Sequence, residues 1–168
     1  MALSMYQASV PVFRSRLKGM AAILAKGEAY AAAKNIDPSV LLQTRLFPDM
    51  FPLVRQVQIM SDAAKGCTAN LAGIEVPRFE DVETTFPEIK ERIEKTIRFV
   101  ESVRPEQIDG SEDKDIKLNI RGNTLSFKGQ DYLLNFALPN LYFHMTASYA
   151  ILRHCGVEIG KRDFLGMV

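Results

Sequence analysis

The sequence predicts a mainly all-α fold: four main helices in a bundle, with one small β-hairpin before the last. Three observations carry this. Four stretches repeat apolar residues at spacings of three and four, the period of one helical face. Capping-box patterns precede two of them, Ser4 with Gln7 and Thr85 with Glu88. Between residues 115 and 128 the helical period gives way to alternation, which marks two short strands.

The first helix opens on Ser4, and Tyr6, Val10, Phe13, Leu17, Met20 and Leu24 form its apolar stripe. Pro11 lies inside the stripe, where a missing N–H predicts a bend or a later true start. Gly27 weakens the helix, so Glu28 to Lys34 reads as a continuation or a separate short helix. Asp37 and Pro38 cap a brief turn through Leu42. Pro48 and Pro52 frame the next boundary.

The second long helix is predicted from about Pro52 to Leu71, ending at Gly73. Leu53, Val57, Met60, Ala64, Cys67 and Leu71 mark its buried face, and Arg55, Asp62 and Lys65 its wet one. Gln56 falls at the edge of the buried face, whereas Gln58 turns away. A polar connection containing Pro77 follows. The third helix then runs to about Val103, with Ile89, Ile93, Ile97, Val100 and Val103 inward. Its outer face pairs Glu88 with Arg92, Glu91 with Lys95 and Glu94 with Arg98 at i, i+4. This is a solvated face.

Ile116, Leu118 and Ile120, then Leu125 and Phe127, alternate around a Gly122-Asn123 turn. Two strands alone are marginal, so their apolar side must lie on the bundle. The last helix opens on Pro139 and closes on His154, Cys155 and Gly156, with glycine able to take the left-handed cap. Leu138, Leu141, Tyr142, Met145, Tyr149 and Leu152 share one face, and Phe143, Ala147, Ala150 and Ile151 make the other side apolar as well. Such a helix is predicted to be the central staff of the bundle. Ile159, Phe164 and Leu165 then predict a tail, 157–168, that docks on it.

Residues 1–168 read as one domain, long enough for a core without disulfides. Charges nearly cancel, 21 basic against 20 acidic, and are dispersed, so nucleic acid is not an expected partner. No secretory pattern or membrane-length apolar run is visible, which predicts a cytoplasmic protein. Cys67 and Cys155 form no CxxC pair, and Cys67 on a buried face reads as an inert thiol. Arg45 and Asp49 flank Leu46–Phe47–Pro48 and read as ties within that loop. GVEIGKR follows a helix and lacks the Ser or Thr of a phosphate loop.

Three stretches, RLFPDMFPLVRQVQ, PNLYFHMTASYAILRHCG and IGKRDFLG, resemble an uncharacterised bacterial family of unknown function. That family is grouped with the DinB/YfiT-like metalloenzymes, and the resemblance covers nearly the whole chain. It implies an up-down-down-up four-helix bundle. It also implies, for many relatives, a divalent metal on three histidines: one from the second helix and two from an HxxxH pair on the last. Some relatives are thiol-dependent transferases.

Carried over residue by residue, the metal pattern breaks. His144 matches the first histidine of the pair, but Ser148 stands four residues on. Gln56 or Gln58 occupies the comparable region of the second helix. The other histidine, His154, is ~15 Å further along the helix and faces elsewhere, so the two cannot share an ion. Amide and hydroxyl groups are poor ligands beside one imidazole. The expected site is therefore a degenerate metal pocket of His144, Gln56, Ser148 and Tyr149, with no catalytic residue assigned and a small molecule as its ligand. No cofactor is expected; if zinc or nickel binds, His144 is the ligand, with Gln56, Asp62 and Asp49 the residues to search for others. Asp62 otherwise reads as a surface ion pair. The alternative function is a divalent-metal or thiol-dependent transferase. The expected assembly is a homodimer.

Overall fold

The computed structural model describes residues 3–120 and 122–167; Met1, Ala2, Arg121 and Val168, which fall within the predicted domain, hairpin and tail, lie outside the described residues. Helix α1 (Met5–Lys34) begins as predicted, with the Ser4 hydroxyl accepting from Gln7 N–H and the Gln7 side chain accepting from Ser4 N–H. Neither Pro11 nor Gly27 interrupts it. Pro11 sits seven residues in, on an exposed face, so water can serve the one carbonyl its ring deprives of a donor. Gly27 is buried for a packing reason: a Cβ there would meet Leu152 Cδ2 at 3.1 Å and Phe86 Cε1 at 3.5 Å. The glycine lets α1 approach its neighbours, and that contact outweighs its low helix propensity.

After the short α2 (Pro38–Gln43), α3 (Leu53–Ala72) and α4 (Phe86–Ser102) complete three long walls. The short α5 (Pro105–Ile108) leads to β1 (Asp115–Ile120) and β2 (Asn123–Lys128), which pair antiparallel, Leu118 opposite Leu125. Ile116 is buried and Phe127 lies against Tyr132 and Phe136 at ring separations of 5.9 and 5.3 Å. This aromatic cluster holds the hairpin on the bundle, as its alternation predicts.

The last long helix starts earlier than its sequence suggests. α6 (Gly129–Asp131) passes into a π-helical stretch, Tyr132–Ala137, before α7 (Leu138–His154). Pro139 lacks an N–H, and the wider i→i+5 turns before it reroute the bonding, with Leu138 N–H reaching Leu133 O. Gly129 is required here, because a Cβ would lie 1.9 Å from Ser111 O. The tail forms α8 (Lys161–Leu165) against α1.

Helix directions follow from which residues meet. Gly19 lies by Met145 and Gly27 by Leu152, so α1 and α7 run parallel. Gln56 meets His144 and Asn70 meets Tyr132, so α3 runs against α7. Glu28 pairs with Lys90 and Arg14 with Glu101, so α4 runs against α1. The order is up-down-down-up. Because α3 and α4 are parallel, residues 73–85 must return along the length of the bundle, and they do so as an extended strap.

That strap corrects three placements. Arg92, Lys65 and Gln58 were expected on wet faces, yet all three are buried. Arg92 bonds Asp62 (2.9 Å), Asp81 (3.0 Å) and Glu83 (3.0 Å), while Gln58 donates to Glu83 (2.8 Å). Lys65 sits 4.3 Å over the Phe79 ring and 2.9 Å from Asp62. The strap covers what would otherwise be solvent-facing positions of α3 and α4. Glu88 does not pair with Arg92; it accepts from Thr84 and Thr85 N–H at the start of α4. Of the predicted outer pairs, Glu94–Arg98 alone closes, at 3.9 Å, among the described residues.

Candidate functional site

α7 and α3 bring His144 and Gln56 together. His144 Nδ1 and Gln56 Oε1 are 2.6 Å apart, and both residues are buried. The Gln56 amide nitrogen donates to Phe51 O at 3.1 Å, which fixes the amide's orientation and leaves its oxygen facing the imidazole. An amide oxygen only accepts, so the proton sits on Nδ1 and the lone pair on Nε2. Burial, and then the positive charge of Arg55, hold the His144 pKa below its ordinary 6.5, so the ring is neutral at pH 7. Phe143 meets the ring edge-on at 5.1 Å.

The neighbouring positions are bonded internally. Ser148 Oγ donates back to His144 O at 2.8 Å, the usual i−4 bond of a helical serine. Tyr149 is not brought to this pair; it packs edge-on against Phe164 of the tail at 5.8 Å. Asp62 belongs to the Arg92 and Lys65 network, and His154 is exposed at the end of α7. Arg45 ties its loop as expected, donating to Pro48 O and Met50 O. Burial pushes the Cys67 thiol far up, which leaves it a hydrophobic filler.

These residues do not fit a resident divalent metal. Among the described residues no three His, Cys, Asp or Glu side chains gather where they could hold one. Where three ligands are needed, one imidazole nitrogen, an amide already bonded at both ends and a back-bonded hydroxyl are found.

A second feature adjoins the pair. The outward side of α7 and the loop 46–51 form an apolar groove of about 450 Å³ with Leu46, Met50, Tyr142, Phe143, Ala147 and Ala150 among its walls. α7 is thus not wrapped on all sides: Phe143 is 58% and Tyr142 37% exposed. The sequence signal for this was the continuation of apolar residues around the helix, which fits an uncovered binding face as well as a buried one. Arg92 was missed for a different reason. It falls three residues after Ile89 and four before Thr96, on the buried stripe itself, and its charge concealed the phase.

An up-down-down-up bundle with a glutamine-locked histidine buried between α3 and α7 defines the class: a DinB-like four-helix bundle. The chain belongs to the family described as a domain of unknown function, DUF1993, whose profile spans residues 5–165. It is also similar to a crystallised DinB family member from Shewanella denitrificans, at 39% identity over 95% of this chain and 90% of that one, with a TM-score of 0.86. No curated protein matches it.

His144→Ala is expected to cost about 1–3 kcal/mol, since Gln56 Oε1 would be buried without a donor. The pH dependence has a definite sign. The folded state disfavours protonation of His144, so its contribution is complete above the unfolded value of about 6.5 and is lost as pH falls below it. Urea midpoints at pH 7.5 and pH 5.5 should therefore differ less in His144→Gln than in the native chain. Equal pH slopes in the two proteins would contradict this account.

Proposed function

We propose that this protein is a metal-independent binding bundle that takes up a small, neutral, largely apolar molecule in the groove between α7 and the loop 46–51. The observation that carries the reading is the 2.6 Å His144–Gln56 bond, backed by the Gln56–Phe51 bond. It supports a role in which the pocket is fixed by hydrogen bonds where a metal bundle uses its ion. The groove beside it has the size and apolar walls of a small-molecule site. No side chain of α7 between Leu138 and Leu152 is formally charged at pH 7, which disfavours a charged ligand.

The transferase alternative has only His144 Nε2 to build on. Metal analysis of the purified chain separates the two readings: about one equivalent of zinc or nickel, abolished in His144→Ala, would overturn the proposal. The positive test is titration with Nile red, a neutral apolar dye. Saturable binding is expected, and Ala150→Phe, which fills the groove, should abolish it. Absence of saturable binding, or binding that Ala150→Phe leaves intact, sinks the small-molecule reading.

A further inference from the structure

The strap, residues 73–85, is held differently from the rest of the chain. None of its residues is buried. Among the described residues, the backbone from 75 to 84 takes part in no backbone–backbone hydrogen bond. Side chains make its grip instead. Asp81 pairs with Arg55 and Arg92, and Glu83 with Arg92 and Gln58. The Phe79 ring takes Lys65 at 4.3 Å and Lys95 at 5.1 Å. A cavity of about 390 Å³ lies between strap and α4, walled by Arg78, Phe79 and Glu83 on one side and Glu91, Arg92 and Lys95 on the other.

A segment with little buried apolar area and no backbone ladder is a unit of low local stability. Both of its ends are closed independently of it. Gly73, at φ 71°, caps α3 with Ile74 N–H reaching Ala69 O, and Glu88 accepts from Thr84 and Thr85 N–H at the start of α4. Residues 75–83 can therefore lift while both helices keep their caps. What they cover is polar: Gln58, Lys65 and Arg92, with Asp62 beside the last two. Lifting hydrates these groups and leaves the packing of α3 on α4 in place. Arg92 Nε, buried without a partner while the strap is closed, then gains water.

We infer that the strap is an ionic latch, which opens as a unit on the folded bundle and is released by salt. The Asp81 and Arg55 side chains are 38% and 36% exposed, so mobile ions reach and screen that pair. Glu83 and Arg92 are far less exposed, and their bond holds the strap closed at low salt. The charged groups around the strap's carboxylates are Arg55, Asp62 and Lys65 of α3 and Glu88, Glu91, Arg92 and Lys95 of α4. Opening uncovers Lys65 and Arg92, cations that the closed strap keeps from solvent.

Acetylation of the native full chain by an N-hydroxysuccinimide ester, read lysine by lysine in a mass spectrometer, tests this. Lys65, 5% exposed beside Phe79, is the reporter, and the exposed Lys34 is the reference. Between about 0.01 M and about 1 M NaCl the Debye length falls from about 30 Å to about 3 Å. Labelling of Lys65 relative to Lys34 should rise about fivefold, the factor set by losing one good exposed ion pair. Trypsin cleavage after Arg78, within the strap, should rise in step, with the helical circular dichroism spectrum unchanged. Asp81→Asn combined with Glu83→Gln should give the high-salt rates already at low salt. Urea below the unfolding transition should barely change the Lys65 rate, because lifting the strap exposes little surface. The inference is overturned if Lys65 labelling ignores salt, rises while Arg78 stays uncut, or climbs with urea as steeply as global unfolding. These outcomes are read on the native chain alone, so they hold even where the double variant does not fold.

Discussion

Replacing Arg92 by Met should lower stability by about 3 kcal/mol at pH 7, the low end of what removing one partner of a buried ion pair costs. Arg92 is 2% exposed and is met by Asp62, Asp81 and Glu83, with a further bond to Glu80 O. Burial opposes its charge, but the Glu83 hydrogen bond and the three carboxylates outweigh that and raise its pKa above the usual arginine value. Methionine keeps the volume and removes the cation. Glu83, whose side chain is 10% exposed, is then left among like charges, while Asp62 and Asp81 at 38% still reach water and soften the loss. The strap would lose its central anchor, keeping the Arg55–Asp81 pair and the Phe79–Lys65 stacking.

The pH dependence separates this cause from lost packing. In the variant, the repulsion among Asp62, Asp81 and Glu83 exists only while they are ionised. Its deficit should therefore be full at neutral pH and shrink as pH falls into the carboxylate range. Urea melts at pH 7 and pH 4.5 measure this. A deficit under about 1 kcal/mol at pH 7, below the range for breaking a buried pair, would remove the strap's electrostatic anchor from the account. So would a deficit that stays constant between the two pH values.

The long helices were legible from their buried stripes, and α1 and α4 from their start signals as well: Ser4 with Gln7, and Thr85 with Glu88, work as their spacing says. The parallel pair α3–α4 was legible through the family resemblance alone, since periodicity carries no direction. The return strap, which buries Arg92, Lys65 and Gln58, follows from that direction, so those residues kept the solvent phase their chemistry suggests. The π-helical stretch before Pro139 was hidden for a related reason. A proline marks where bonding must change, not whether the chain upstream is helical. In the pocket, the Gln56–His144 pair was accessible because each is a polar group on a largely apolar stripe, of α3 and of α7. The groove was not, because an apolar residue that faces a cavity looks the same in sequence as one that faces a core.

Deleting residues 157–168 should cost about 3 kcal/mol net and lower Tm by roughly 6–12 °C for a chain of this size. Val157 and Ile159 are 1% and 5% exposed, and each full burial contributes about 1.5–3 kcal/mol, part of which the entropy regained by a freed chain offsets. The tail is also held by polar bonds. Val157 N–H closes the end of α7 on Leu152 O at 3.1 Å, while Gly156 takes the left-handed conformation at φ 94°. Asp163 accepts from Gly160 N–H and meets Lys26 at 2.5 Å, and Arg16 donates to Phe164 O and Leu165 O. A Cβ at Gly19 would reach 3.8 Å from both Asp163 O and Phe164 O, ordinary contact distance, so the segment lies directly on α1. Not every apolar tail residue takes part, which corrects the sequence expectation. Phe164 is half-buried against Tyr149, but Leu165, at the end of α8, is 39% exposed. The residues therefore rank in a checkable order. Ile159→Ala should cost about 2 kcal/mol or more, as a large-to-small change in a packed site does, and Leu165→Ala should stay within about 0.5 kcal/mol. Equal effects of the two substitutions, or a truncated chain that melts at the native temperature, would mean that the tail rests on the bundle without stabilising it.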